Sequence, residues 1–171
     1  MEVFFLFSQF IVLFSIFNYK FDLIKYVKIM YKKIILPTDG SEYADREVAR
    51  AKHLLAEDGE IIIISVAAKL RRVQFESRRS IREANEKAIE EAEGYVAKMK
   101  AKFDDSYNVT TKVVTGFPSE AINQLAEDVG ADLIIISASG KSGLKKFVIG
   151  SVAENVLANA DCDVLLVHLE E

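Results

Sequence analysis

The chain has 171 residues, 50% of them hydrophobic and 28% charged, the composition of an ordinary globular protein at a length suited to one domain. Its net charge of −4 and pI near 5.4 give no long-range attraction for nucleic acid or an anionic membrane surface, so any phosphate contact must be local. One cysteine, Cys162, excludes an intramolecular disulfide, and with His53 and His168 it makes too sparse a set for a Cys/His zinc site.

The first segment differs in composition from the rest of the chain. Seven of the eleven phenylalanines fall in the first 21 positions, and Val3 to Phe17 is apolar except at Ser8, Gln9 and Ser15. That run is shorter than the roughly 20 residues of a membrane-spanning helix. A signal peptide needs positive charge before the apolar run and small residues after it, whereas Glu2 precedes this one and Asn18-Tyr19-Lys20 comes after it. Residues 1–29 therefore read as an extension to a domain over 30–171. They are a short membrane anchor, a segment docked on the domain or a partner, or residues upstream of the true start. The last accords with Met30-Tyr31-Lys32-Lys33 running straight into the first strand. Were the segment to span, Lys20, Lys25, Lys28, Lys32 and Lys33 would hold the domain in the cytoplasm. Each alternative leaves the domain cytoplasmic, and a membrane role enters only with a real anchor.

From Lys32 onward, short branched apolar runs alternate with amphipathic stretches, the pattern of βα units around a parallel sheet. Ile34-Ile35-Leu36, Ile61 to Ile64, Leu133 to Ile136 and Val164 to Val167 are continuous runs suited to strands covered on both faces. Val109 to Thr115 instead alternates, as a half-exposed strand at a sheet edge does. Helical spacing groups Ala44, Val48, Ala51 and Leu55 on one face. It does the same for Ile81, Ala84, Ala88, Ala92, Tyr95, Met99 and Phe103, and for Ile122, Leu125, Ala126 and Val129. Gly59 and Gly130 stand where helix C-caps belong, and Ser151 with Glu154 has capping-box spacing. The connection from Ala67 to about Arg79, with Lys69, Arg71, Arg72, Arg78 and Arg79 against the single acid Glu76, reads as a solvated loop.

Ligands of open parallel sheets sit beyond the strands' carboxyl ends, where the winding reverses. Two loops lie there. Pro37-Thr38-Asp39-Gly40-Ser41-Glu42 succeeds the first strand and, taken alone, is a helix start with Asp39 as N-cap. The second succeeds the fourth strand, from Ser137 to Ser151, with Gly140, Gly143 and Gly150 allowing close backbone approach and Lys141, Lys145 and Lys146 adding positive charge. Its Gly150-Ser151 step opens a helix whose free N–H groups suit phosphate oxygens.

Together these loops make the chain from Met30 onward resemble the universal stress protein family. Nucleotide-binding members of that family carry Gly, two residues, Gly, nine residues, then Gly-Ser or Gly-Thr. Here Gly140, the nine-residue spacing, Gly150 and Ser151 are present, while Ser137 stands at the first glycine. The resemblance implies a three-layer α/β/α fold, an open parallel five-stranded sheet in the order 3-2-1-4-5, of adenine nucleotide α-hydrolase-like type. It implies ATP as ligand, with or without magnesium or manganese. Asp39 would bond the ribose, Val66 and Ile136 would flank adenine, and Gly140, Gly150 and Ser151 would hold the phosphates. Pro37, Thr38 and Val152 would line the pocket, and Ser137 would either obstruct the ligand or bond it. The uniformly apolar last strand, at a sheet edge in that order, invites pairing, so a homodimer through it is expected.

The chain carries no Walker lysine motif, no HExxH and no Ser-His-Asp arrangement. The expected function is therefore a regulatory ATP-binding module of stress survival, not an enzyme, with at most very slow hydrolysis. An interaction protein of the same fold that binds no nucleotide is the alternative. An adenylyl-transferring enzyme of the related hydrolase class ranks last, because its glycine-serine loop after the first strand is missing. His53 reads as a helix surface or packing residue, and His168 as an interface residue.

Overall fold

The computed structural model describes residues 30–41, 44–68, 78–138 and 149–168. Among them the chain forms β1 (Tyr31–Pro37), α1 (Ala44–Leu54), β2 (Leu55–Ala68), α2 (Arg78–Lys100), β3 (Asn108–Gly116), α3 (Pro118–Val129), β4 (Leu133–Ser137), α4 (Ser151–Asn159) and β5 (Asp163–Val167). The strands make one parallel sheet in the order β3-β2-β1-β4-β5, as expected.

The continuous apolar runs result from coverage on both faces. Successive side chains of a strand point to opposite sides. Ile34 and Leu36 of β1, Ile61 and Ile63 of β2, and Leu133 and Ile135 of β4 thus meet Val48 and Ala51 of α1 and Val96 and Met99 of α2. The alternate residues Ile35, Ile62, Ile64, Ile134 and Ile136 meet Ile122 and Leu125 of α3 and Val156 of α4 on the other face. Each such side chain contributes about 1.5–3 kcal/mol by leaving water. β3 lies at one edge with its polar residues exposed, and β5 at the other.

Asp132 sets the start of β1, its carboxylate accepting the backbone N–H groups of Lys32 (2.9 Å) and Lys33 (2.8 Å). Gly130 ends α3 in the left-handed conformation, φ 61°, as its C-cap spacing predicts.

Several local expectations are corrected. Gly59 is not a helix C-cap: Leu55 already pairs with Tyr31, the ladder shifts register, and it resumes with Glu60 opposite Lys33. The chain therefore passes from α1 straight into β2, and Gly59 lies inside that strand. Leu55 still packs in the same core as Val48 and Ala51, but as a strand residue. Phe103 lies past the end of α2 and packs against that core from the next turn. Ser151 does not cap α4; Gly150 is the N-cap, and no side chain caps the first-turn N–H groups. The basic connection expected from Ala67 begins only after Ala68. Its Lys69, Arg71, Arg72 and Glu76 lie outside the described residues, while Arg78 and Arg79 open α2.

Candidate functional site

The sheet order places β1 between β2 and β4, and the helices change face there: α1 and α2 cover one side, α3 and α4 the other. This is the winding reversal that opens a crevice at the strand ends. A hollow of about 360 Å³ occupies it, within the size range of small-molecule sites.

Its floor is the end of β1. The Thr38 N–H donates to the Ile64 carbonyl at 2.8 Å, continuing the ladder past the strand. The Thr38 hydroxyl oxygen then accepts from the Gly40 N–H at 3.2 Å, and the Asp39 carboxylate from the Ser41 N–H at 3.0 Å. Side-chain bonds of this kind hold a turn by mimicking backbone. The helix begins only at Ala44, and Glu42 lies outside the described residues.

Gly40 has φ 77°, and a Cβ there would fall inside contact distance of the Tyr95 ring. Gly40→Ala is accordingly expected to destabilise the chain by about 2 kcal/mol, mostly the left-handed backbone cost, and urea unfolding measures it. A loss below about 0.5 kcal/mol would mean that the turn relaxes.

The opposite wall is the start of α4. The Gly150 N–H donates to the Ala138 carbonyl at 2.6 Å, tying the helix entrance to the end of β4. The Glu154 N–H donates to the Gly150 carbonyl at 2.9 Å, the first bond of the helix ladder. The N–H groups of Ser151, Val152 and Ala153, earlier in the same turn, have no intrahelical acceptor and no side-chain cap. All three residues line the hollow. Free amides at the positive end of a helix dipole suit an anion.

Nine of the ten expected site residues are thereby gathered around one cavity: Pro37, Thr38 and Asp39 from β1 and its loop, Val66 from β2, Ile136 and Ser137 from β4, and Gly150, Ser151 and Val152 at α4. Gly140, with Lys141, Gly143, Lys145 and Lys146, lies outside the described residues. His53 is exposed on α1, and the backbone carbonyl of His168 accepts from the Arg46 guanidinium at 3.0 Å. Pro118 and Ile122 of α3 complete the apolar wall.

One buried polar residue of the cavity was not anticipated. Glu47 of α1 is 4% exposed and lines the hollow. Its Oε1 accepts both the Ser137 N–H (2.7 Å) and the Ser137 hydroxyl (2.5 Å). Burial pushes the Glu47 carboxyl up to about 7, prevailing over the two Ser137 bonds that favour the charged form, and nearby Asp39 raises it further. A signal for it existed. Positions 44, 47, 48 and 51 have the i, i+3, i+4, i+7 spacing of a buried stripe, and Glu47 is the one acid within it.

Residues 30–168 match the universal stress protein family. The chain is 34% identical to universal stress protein MJ0577 of Methanocaldococcus jannaschii, over 82% of this chain and 97% of that protein. It is also 34% identical to MJ0531 of the same organism, over 81% and 82%. The solved structure of MJ0577 superposes with a TM-score of 0.73, covering 84% of this chain and 99% of that one. A universal stress protein solved in complex with cAMP is similar at 28% identity with a TM-score of 0.51, over 82% and 99%.

Proposed function

The chain belongs to the universal stress protein family, and from that premise we propose that it is a cytoplasmic ATP-holding module that acts in the stress response as a homodimer. The observation that carries this reading is the meeting of Asp39, the uncapped first turn of α4 and the apolar side chains of Val66 and Ile136 around one cavity. Those groups match the parts of an adenine nucleotide. The Asp39 carboxylate suits the donors of ribose hydroxyls. The amides of Ser151 to Ala153 suit phosphate oxygens. Val66, Ile136 and Val152 offer an apolar slot of the kind a base enters. The relative solved with cAMP supports an adenine nucleotide as the ligand class.

The module holds its ligand with at most very slow hydrolysis. Glu47 of the hollow is held at Oε1 by Ser137, and the chain carries no Walker lysine motif, no HExxH and no Ser-His-Asp arrangement to drive hydrolysis. Among the described residues no helix is long and apolar enough to cross a membrane. The dimer reading rests on β5, an edge strand whose Val164 to Val167 remain only half-buried.

A second reading, the interaction protein without nucleotide, is favoured by one observation: Ser137 and Glu47 place a hydroxyl and a carboxyl in the ligand hollow. Calorimetric titration of the full chain with ATP at about pH 6, with and without magnesium, separates the two. The proposed function predicts saturable binding with a dissociation constant below about 1 mM, a free energy beyond about −4 kcal/mol. Absence of heat at millimolar ATP overturns it in favour of the second reading.

A further inference from the structure

Glu47 has no counterpart among the groups that the nucleotide reading uses, yet it shares the cavity with them. Both Ser137 bonds fall on Oε1, so Oε2 accepts from no described residue and is left to the hollow. The elements packed against α1 are β1, β2, β4 and α2. Among their described groups the charge acting on Glu47 is that of Asp39, just past β1. β4 carries no titratable side chain, and Glu57, Asp58 and Glu60 of β2 lie toward the end of that strand opposite Lys33. Tyr95 of α2 stands beside Gly40. On α1 itself Arg46 reaches the His168 carbonyl, Lys52 reaches the Lys102 carbonyl, and Arg50 and His53 are exposed. No described cation offsets the Glu47 carboxyl.

A phosphate seated on the α4 amides thus enters a cavity already facing two carboxyl groups. Asp39 sits in an exposed turn where water screens it, but Glu47 is enclosed, and screening there is weak. Resting on the nucleotide reading above, we propose that Glu47 is the charge-selecting residue of the site: a phosphate-bearing ligand binds with the Glu47 carboxyl neutral, so that binding takes up one proton. The proton comes from solvent and ends on Oε2, which changes from a repelling acceptor to a donor facing the hollow. Oε1 keeps both Ser137 bonds in either state, which gives the serine at this motif position a use: it holds the carboxyl in place. A ligand without phosphate leaves the carboxyl indifferent. The free carboxyl titrates near 7, so anion affinity is flat in acid and falls as pH rises through neutrality, by up to about tenfold per pH unit.

The test is calorimetry on the full chain with ATP and with adenosine at about pH 6, 7 and 8, for the wild type and Glu47→Gln. Wild-type ATP affinity is expected to fall about tenfold from pH 6 to pH 8 relative to the variant, which keeps the titration of ATP itself but lacks the carboxyl. Adenosine affinity stays flat in both. Should Glu47→Gln fail to fold, the wild type alone decides: titrations at about pH 8 in two buffers of different ionisation enthalpy are expected to report uptake of close to one proton per ATP. Parallel ATP profiles in the two proteins, or no proton uptake at pH 8, overturn the role of Glu47 while leaving nucleotide binding intact. Absence of ATP binding at every pH overturns the nucleotide reading itself.

Discussion

Glu47→Gln is expected to gain about 3 kcal/mol of stability over the wild-type chain as pH rises from 4.5 to 7. The sign is set by the direction of the shift. Burial raises the Glu47 carboxyl from its ordinary 4.5 to about 7, so between those values the folded chain holds a proton that the unfolded chain has released. Stability therefore falls with rising pH across that window, and above 7 the full cost is present as an enclosed carboxylate. Below 4.5 both states are protonated and the contribution vanishes. The span of about 2.5 pH units at about 1.4 kcal/mol each gives the magnitude. Glutamine keeps an oxygen to accept from the Ser137 N–H and hydroxyl but has no proton to lose. Urea unfolding of both proteins at about pH 5, 7 and 8 reads the difference directly, and any constant offset from the amide cancels in the comparison. Stability curves that run parallel from pH 5 to 8 would show that the carboxyl titrates in the ordinary range, and the burial argument would fail with them.

The same residue marks the boundary of what the sequence discloses. Runs such as Ile34-Ile35-Leu36 and Ile61 to Ile64 are legible because a strand covered on both faces has one physical solution, and the structure divides their alternate residues between two helix layers as that solution requires. The edge position of the alternating Val109 to Thr115 strand is legible for the converse reason. Joins are harder. Gly59 looks like a helix stop, but pairing of Leu55 with Tyr31 overrides the local signal, because a ladder partner satisfies the backbone as well as a cap does. Ser151 looks like a cap, yet Gly150 takes that position, and the uncapped first-turn amides that result are the feature a phosphate site needs. In the crevice, the loop residues at the ends of β1 and β4 announce themselves by their composition. Glu47 does not, since its meaning depends on which helix face turns inward and on Ser137, 90 positions away in the chain.

Asp39→Ala is expected to weaken ATP binding about a hundredfold, the net result of two opposite effects. It removes a carboxylate acceptor for ribose hydroxyls, and hydrogen bonds to a charged group contribute about 1.5–3 kcal/mol. It also removes a negative charge from a cavity that takes up phosphate. That repulsion is the smaller effect, because Asp39 lies in an exposed turn and the charges of a ribose-bound carboxylate and a phosphate at the α4 amides interact across water for about 0.5 kcal/mol at roughly 8 Å. The short-range bond wins. Asp39→Asn separates ligand contact from loop support, since its amide oxygen still accepts from the Ser41 N–H while its charge is gone. An intermediate loss of about tenfold in Asn, against a hundredfold in Ala, locates the effect on the ligand. The variants carry a second, independent readout: Asp39 raises the Glu47 carboxyl, so both substitutions are expected to move the pH midpoint of ATP binding downward. Titration by calorimetry across about pH 5 to 8 measures affinity and midpoint together. Wild-type affinity in Asp39→Ala would remove Asp39 from the ribose, and an unmoved midpoint would uncouple these two carboxyls that line the hollow.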